Sequence, residues 1–289
     1  MSKPNTFTIA VLTSMLFTSI AIAQSYPIKL TRDEKIGDQY TTRISGSVKH
    51  TVQLTVSGQV RPKSSDHLVF DLRGLVKILA VNPRTATATR ITCRITRFTR
   101  NGDEVCPAGA VVAAGLKDGK TTYTIDGKAA DEKDMDLLNM VLELEDPETT
   151  GNSDDIAGTD KPRATGDAWP INTDNFSKAM NAGGLPIGTG AVKGESKLLS
   201  VKKENGQAVM EVETVATAEG FKKELKKGST LSDGSMKVQV NVVVPVDPKL
   251  PMISSTTRSH LSTTITEGTL KRVVVEDREL EELHEAVKP

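Results

Sequence analysis

The chain has 289 residues, of which 26% are charged, with 37 Lys and Arg set against 37 Asp and Glu. This even balance argues against general nucleic-acid binding, which needs a basic surface. One Trp, three Tyr and six Phe leave few stacking platforms for a sugar-binding module.

Residues 1–23 read as a secretory signal peptide. Lys3 supplies the positive start, and Phe7 to Ala23 carries no charge, with Leu12, Met15, Leu16 and Phe17 at its centre. It closes on Ala21-Ile22-Ala23, the small-x-small pattern that signal peptidase accepts, so the expected mature start is Gln24. No Cys follows the small residues, which argues against a lipid anchor at that point. No later segment is long and apolar enough to span a membrane. The expected location is exported, periplasmic or extracellular.

The region 24–144 reads as a β-rich part. Val52, Leu54, Val56 and Val60 alternate with polar residues, the period of a strand with one wet face. Asn101-Gly102 predicts a hairpin joining a strand at 90–99 to a shorter partner beginning near Glu104. Asp118-Gly119 predicts another, with Ala114 opposite Tyr123 and Val112 opposite Ile125. An amphipathic helix is expected at 131–143, capped by Asp131, with Met135, Leu138, Val141 and Leu142 on its buried face.

Residues 145–163 carry little to bury and read as a polar linker. The region 164–275 then reads as a second β-rich part. A short helix is expected at 172–181, capped by Thr173 or Asp174 and stopped by Gly183. Asn205-Gly206 predicts a hairpin with Val201 opposite Met210 and Leu199 opposite Val212. From Met236 to Val246 the alternation is strict, with Val238, Val240, Val242 and Val244 on the same side. Residues 276–289 read as a short charged helix or tail, with Leu280, Leu283 and Val287 on one side. The fold class is therefore mainly β with minor α: long antiparallel strands in curved sheets or a sandwich, with one amphipathic helix packed on the sheet.

Each part opens on a related motif. Gly37-Asp38-Gln39-Tyr40 and Gly166-Asp167-Ala168-Trp169 both place a Gly-Asp turn two residues before a large aromatic. Tyr40 and Trp169 are the expected core anchors, and the pattern raises an internal duplication. This layout, with Tyr123-Thr124-Ile125-Asp126-Gly127 leading into a helix, resembles a broad group of exported bacterial β-rich proteins known as domains of unknown function. The resemblance covers most of the mature chain and implies a non-enzymatic envelope protein. It transfers no functional residues. In outline the layout is also similar to the curved sheets of periplasmic lipoprotein carriers.

No catalytic, cofactor or metal site is expected. His50, His67, His260 and His284 share no metal-ligand spacing, and no nucleophile elbow or phosphate-binding loop occurs. Cys93 and Cys106 pose two opposed expectations. Export favours a disulfide. The Asn101-Gly102 register instead sets Cys106 opposite Arg97, about 13 Å along the strand from Cys93, beyond the roughly 7 Å that a disulfide spans. The disulfide is the favoured of the two. The functional expectation is an exported envelope protein that binds or supports an envelope component. One version is a carrier of an apolar ligand, with the valine face of 236–246 lining a cavity; the other reading of that face is a solid sandwich core. A polymer hydrolase and an assembly protein are the remaining alternatives.

Overall fold

The computed structural model describes residues 24–144, 146, 151–204, 206–225 and 228–287. The expected signal peptide, 1–23, lies outside them, as do Asn205 and part of the expected linker. The elements run β1 (Ser25–Ile28), β2 (Gln39–Val56), β3 (Gln59–Val60), β4 (Ser64–Val81), β5 (Ala88–Arg100), β6 (Asp103–Glu104) and β7 (Val111–Lys117). Then come β8 (Lys120–Ile125), β9 (Lys128–Ala129), α1 (Glu132–Val141), α2 (Ser153–Ala157), β10 (Thr159–Ala164), β11 (Ala168–Pro170) and α3 (Thr173–Ala182). Four long strands and their predecessor finish the chain: β12 (Val192–Glu204), β13 (Gln207–Glu224), β14 (Ser229–Pro245), β15 (Ser254–Glu267) and β16 (Leu270–Ala286).

Among the described residues, fourteen strands form one curved antiparallel sheet in the order β11-β12-β13-β14-β15-β16-β2-β4-β5-β7-β8-β9. Short β3 and β6 extend the β2 and β5 hairpins, and β1 pairs with β10 apart from the main sheet. The sandwich alternative is not realised. The expected N-terminal and C-terminal strands share one sheet, because β16 is bonded to β15 on one side and to β2 on the other.

That double pairing corrects the helix expected at the C-terminus. Leu280 and Leu283 fit a helical stripe, but a seventeen-residue strand here completes two hydrogen-bonded ladders at once. Tertiary pairing outweighs local helix propensity at such a position. The second correction concerns the linker. Asn152 caps α2 through a capping box with Asp155, and β10 adds its ladder to β1. Residues 151–163 are therefore built into the fold.

The two expected helices form with adjusted faces and caps. In α1 the Asp131 side chain accepts from the Asp134 backbone N–H, and Leu137, Leu138 and Val141 are buried. Met135, expected inside, is 36% exposed. Asn172, rather than Thr173 or Asp174, caps α3, and Gly183 ends it. Both hairpins at 101–102 and 118–119 hold their registers, with Ala114 opposite Tyr123 and Val112 opposite Ile125. In the third hairpin Val201 faces Met210 as expected. A bulge at Leu199 then sets Leu198, rather than Leu199, opposite Val212.

The two Gly-Asp motifs adopt the same bonded unit. Gly37 and Gly166 both have φ +93°, a backbone conformation that glycine adopts without steric cost. Asp38 accepts from the Lys35 N–H at 3.1 Å, and Asp167 accepts from the Ala164 N–H at 2.9 Å. Gly37 N–H donates to Ile78 O and Ile78 N–H to Asp38 O; Gly166 N–H donates to Leu198 O and Leu198 N–H to Asp167 O. Ile78 and Leu198 each border a bulge. Tyr40 then faces Val76, and Trp169 faces Ser196.

Register carries side-chain direction across the sheet, because directly opposed residues in a ladder point to one face. A single row runs Leu72, Ile44, Glu282, Ser255, Val242, Val212, Leu198. Its ends are apolar and its middle is polar. One apolar cluster lies under α1 and includes Phe70, Leu72, Ile95, Phe98 and Leu138. A second lies by α3 around Phe176, Ala218 and Met236, and a third holds Trp169, Leu198 and Met210. Fully burying a Leu, Ile, Phe or Met side chain of these clusters contributes about 1.5–3 kcal/mol. Between the lobes, β15 and β16 present Ser255, Thr257 and Ser259 beside Arg278 and Glu282 on the inner face.

Candidate ligand-binding cavity

A cavity of about 370 Å³ opens at one end of this polar strip. Its floor is the inner face of β2, β4 and β5, with Ile44, Val76 and Ile91. The C-terminal end of α1 closes one side with Val141, Leu142 and Leu144, and two segments cross the mouth. One is 29–34. It is tied down where Leu30 N–H and the Thr31 hydroxyl both donate to Asp154, and where Lys29 pairs with Asp160 at 2.9 Å. The other is 245–252, with Pro245, Pro248, Pro251, Leu250 and Met252. Val246 N–H donates to Ala208 O, and Ile253 N–H to Val243 O, fixing both ends of that segment.

Several polar side chains enter this largely apolar space. Thr42 on β2 is 4% exposed, and its hydroxyl has no hydrogen-bond partner. His284 on β16 packs edge-on against Tyr40 at 5.2 Å between ring centroids, and its Nδ1 is buried without a partner. Its Nε2 lies 3.7 Å from Glu282, whose carboxylate also accepts from the Ser255 hydroxyl at 3.1 Å. Glu34 accepts from the Ala88 N–H. Burial pushes the Glu34 carboxyl above its ordinary range, partly offset by that backbone bond and by Arg32. Burial also raises Glu143, with Arg278 opposing the shift. Tyr40 is raised well beyond a usual phenol, chiefly by burial and then by the nearby Glu34 charge.

The expected core anchors take different places. Trp169 is 4% exposed, donates its indole N–H to Ala157 O at 2.9 Å, and carries Arg163 over its ring at 5.4 Å. Tyr40 is only partly buried and forms part of the cavity wall. Cys93 and Cys106 are both free and buried in the α1-side cluster, so the favoured disulfide is not formed. The hairpin register holds through Val105, whose N–H donates to Phe98 O. The chain then turns at Pro107, and Cys106 enters the core as an apolar side chain.

The valine face of β14 is split. Met236 and Val244 are buried, while Val238, Val240 and Val242 are only partly covered on the open inner side. Of the cavity residues, Tyr40, Val141, Leu142 and Val244 stand out in the sequence for their positions, whereas His284 falls in the expected charged helix or tail. The legible clue was the period-two run Glu276, Arg278, Leu280, Glu282, His284, which puts all five on one face of a strand. Among the described residues no group of three or more His, Cys, Asp and Glu could hold a metal ion. No helix among them is long and apolar enough to cross a membrane.

The fold and cavity define a class: a single curved antiparallel sheet whose concave face is partly closed by helices and crossing segments. No family model and no curated protein matches the chain. Among solved structures it is similar to a LolA-superfamily protein from Nitrosomonas europaea, at 8% identity over 89% of this chain and 90% of that one, with a TM-score of 0.20. It is also similar to DynF from the dynemicin biosynthesis pathway of Micromonospora chersina, at 9% identity over 98% and 95%, with a TM-score of 0.17. Pseudomonas aeruginosa OpdQ is similar at 7% identity over 86% and 98%, with a TM-score of 0.21. Likeness at these scores says nothing of ligand or mechanism.

Proposed function

We propose that this is an exported, non-enzymatic envelope protein that binds an apolar or amphipathic small molecule in the cavity beneath residues 29–34 and 245–252. The observation that carries the reading is the cavity itself. Its size falls in the range of ligand pockets, about 300–1,000 Å³, and its lining combines aliphatic walls with polar and charged side chains. The half-covered valines of β14 extend this apolar surface along the inner face.

Export rests on the residues at 1–23. One experiment addresses both parts: the full chain is produced in a secreting bacterium, recovered from the envelope fraction and weighed by native mass spectrometry. The expected product begins at Gln24 and carries a lipid-sized adduct released on denaturation. A product retaining Met1, or one free of adduct that gains none on incubation with envelope lipid, contradicts the respective part.

A further inference from the structure

The cavity has a polar end and a charge imbalance that narrow its ligand, and this inference rests on the binding role just proposed. Three carboxylates line it, Glu34, Glu143 and Glu282. The lining cations Lys29 and Arg32 are each turned to acids outside the lining, Asp160 at 2.9 Å and Asp38 at 3.7 Å. His284 supplies at most one further positive charge. Thr42, buried and lining the cavity, keeps an unpartnered hydroxyl, and His284 Nδ1 is likewise unmet. Buried polar atoms of this kind are costly to leave unpaired. On the other walls Leu142, Leu144, Leu250 and Met252 offer apolar surface.

We infer that the cavity takes a cationic amphiphile, a primary ammonium on an alkyl tail, with the head received by Glu34, Glu282 and Thr42 and the tail laid against the α1 end and the 245–252 segment. An ammonium donates up to three hydrogen bonds, and carboxylates and a hydroxyl oxygen accept them. An anionic head would face three carboxylates in a partly desolvated site, where like charges repel most strongly. Burial of Glu34 acts in the same direction, because an incoming cation relieves the cost of ionising that carboxyl.

The test uses the mature protein loaded with N-phenyl-1-naphthylamine, an apolar fluorescent probe. Dodecylamine, 1-dodecanol and dodecanoate compete at pH 7.5 and low salt, each below its micelle concentration. Dodecylamine is expected to displace the probe at a concentration about tenfold lower than dodecanol, the scale of one charge-assisted hydrogen bond, with dodecanoate weakest. Glu34→Gln and Glu282→Gln each shrink the amine-over-alcohol ratio. Lys237→Gln, on the outer face, leaves it unchanged. Equal displacement by amine and alcohol, or dodecanoate in front, overturns the cationic head while leaving the apolar site standing. Displacement by none of the three, with the probe itself unbound, overturns both.

Discussion

Cys93 and Cys106 show how burial decides the chemistry of a side chain. Desolvation pushes the Cys93 thiol up to about 12 and the Cys106 thiol up to about 11. The thiolate is the reactive form, so a thiol this far above its ordinary pKa is scarcely ionised near neutral pH. In the folded protein at pH 8 both cysteines should therefore resist a disulfide reagent, and both should react once denaturant is added. Two free thiols by mass after unfolding agree with the structure; a mass two hydrogens lower in the untreated protein restores the disulfide. His284 illustrates the same dependence on surroundings. Its ring is wedged against Tyr40 inside the cavity, although the neighbouring charges suggested a solvated helix.

At the scale of elements, the repeated unit is the most informative feature. Gly74 lies four residues before Ile78, and Gly194 four before Leu198. A Cβ on Gly74 would meet Cys93 Sγ at 2.5 Å and Arg94 O at 2.8 Å. A Cβ on Gly194 would meet an Ile171 methyl at 2.6 Å and Val215 O at 2.7 Å. In both places the obstacle includes a backbone carbonyl of the next strand, which cannot swing away. Gly74→Ala and Gly194→Ala should each destabilise by about 1–3 kcal/mol, the usual cost of overpacking, read as a lower denaturation midpoint. Gly58→Ala in the β2–β3 turn meets no such contact and serves as the comparison for a positive-φ cost alone. Equal midpoints for Gly74→Ala and wild type would remove the steric account. The hairpins, both helices and the Gly-Asp turns were legible in the sequence because their determinants are local: turn dipeptides, caps and short periodicities. The C-terminal strand was not. Leu280, Leu283 and Val287 satisfy a helical stripe, and pairing with β15 on one side and with β2, more than 200 residues away, on the other selects the strand.

The whole molecule is organised by that one long-range pairing. With β16 joining β15 to β2, the two expected β-rich parts become one sheet, and the polar strip runs down its middle. The cavity forms where the strip meets the end of α1 and the segments 29–34 and 245–252. Its residues come from eight separate stretches of chain, which is why Thr42, Glu34 and Glu282 could not be grouped by spacing. The most direct measurement is a titration of the folded protein with N-phenyl-1-naphthylamine, beside Met252→Trp, which places a bulky ring at the cavity from its proline-rich wall, outside the sheet. The account predicts saturable one-to-one enhancement for wild type. Met252→Trp should retain the melting temperature and weaken binding about tenfold, equivalent to about 1.4 kcal/mol. Absent enhancement, or identical titrations of the two proteins, would contradict it.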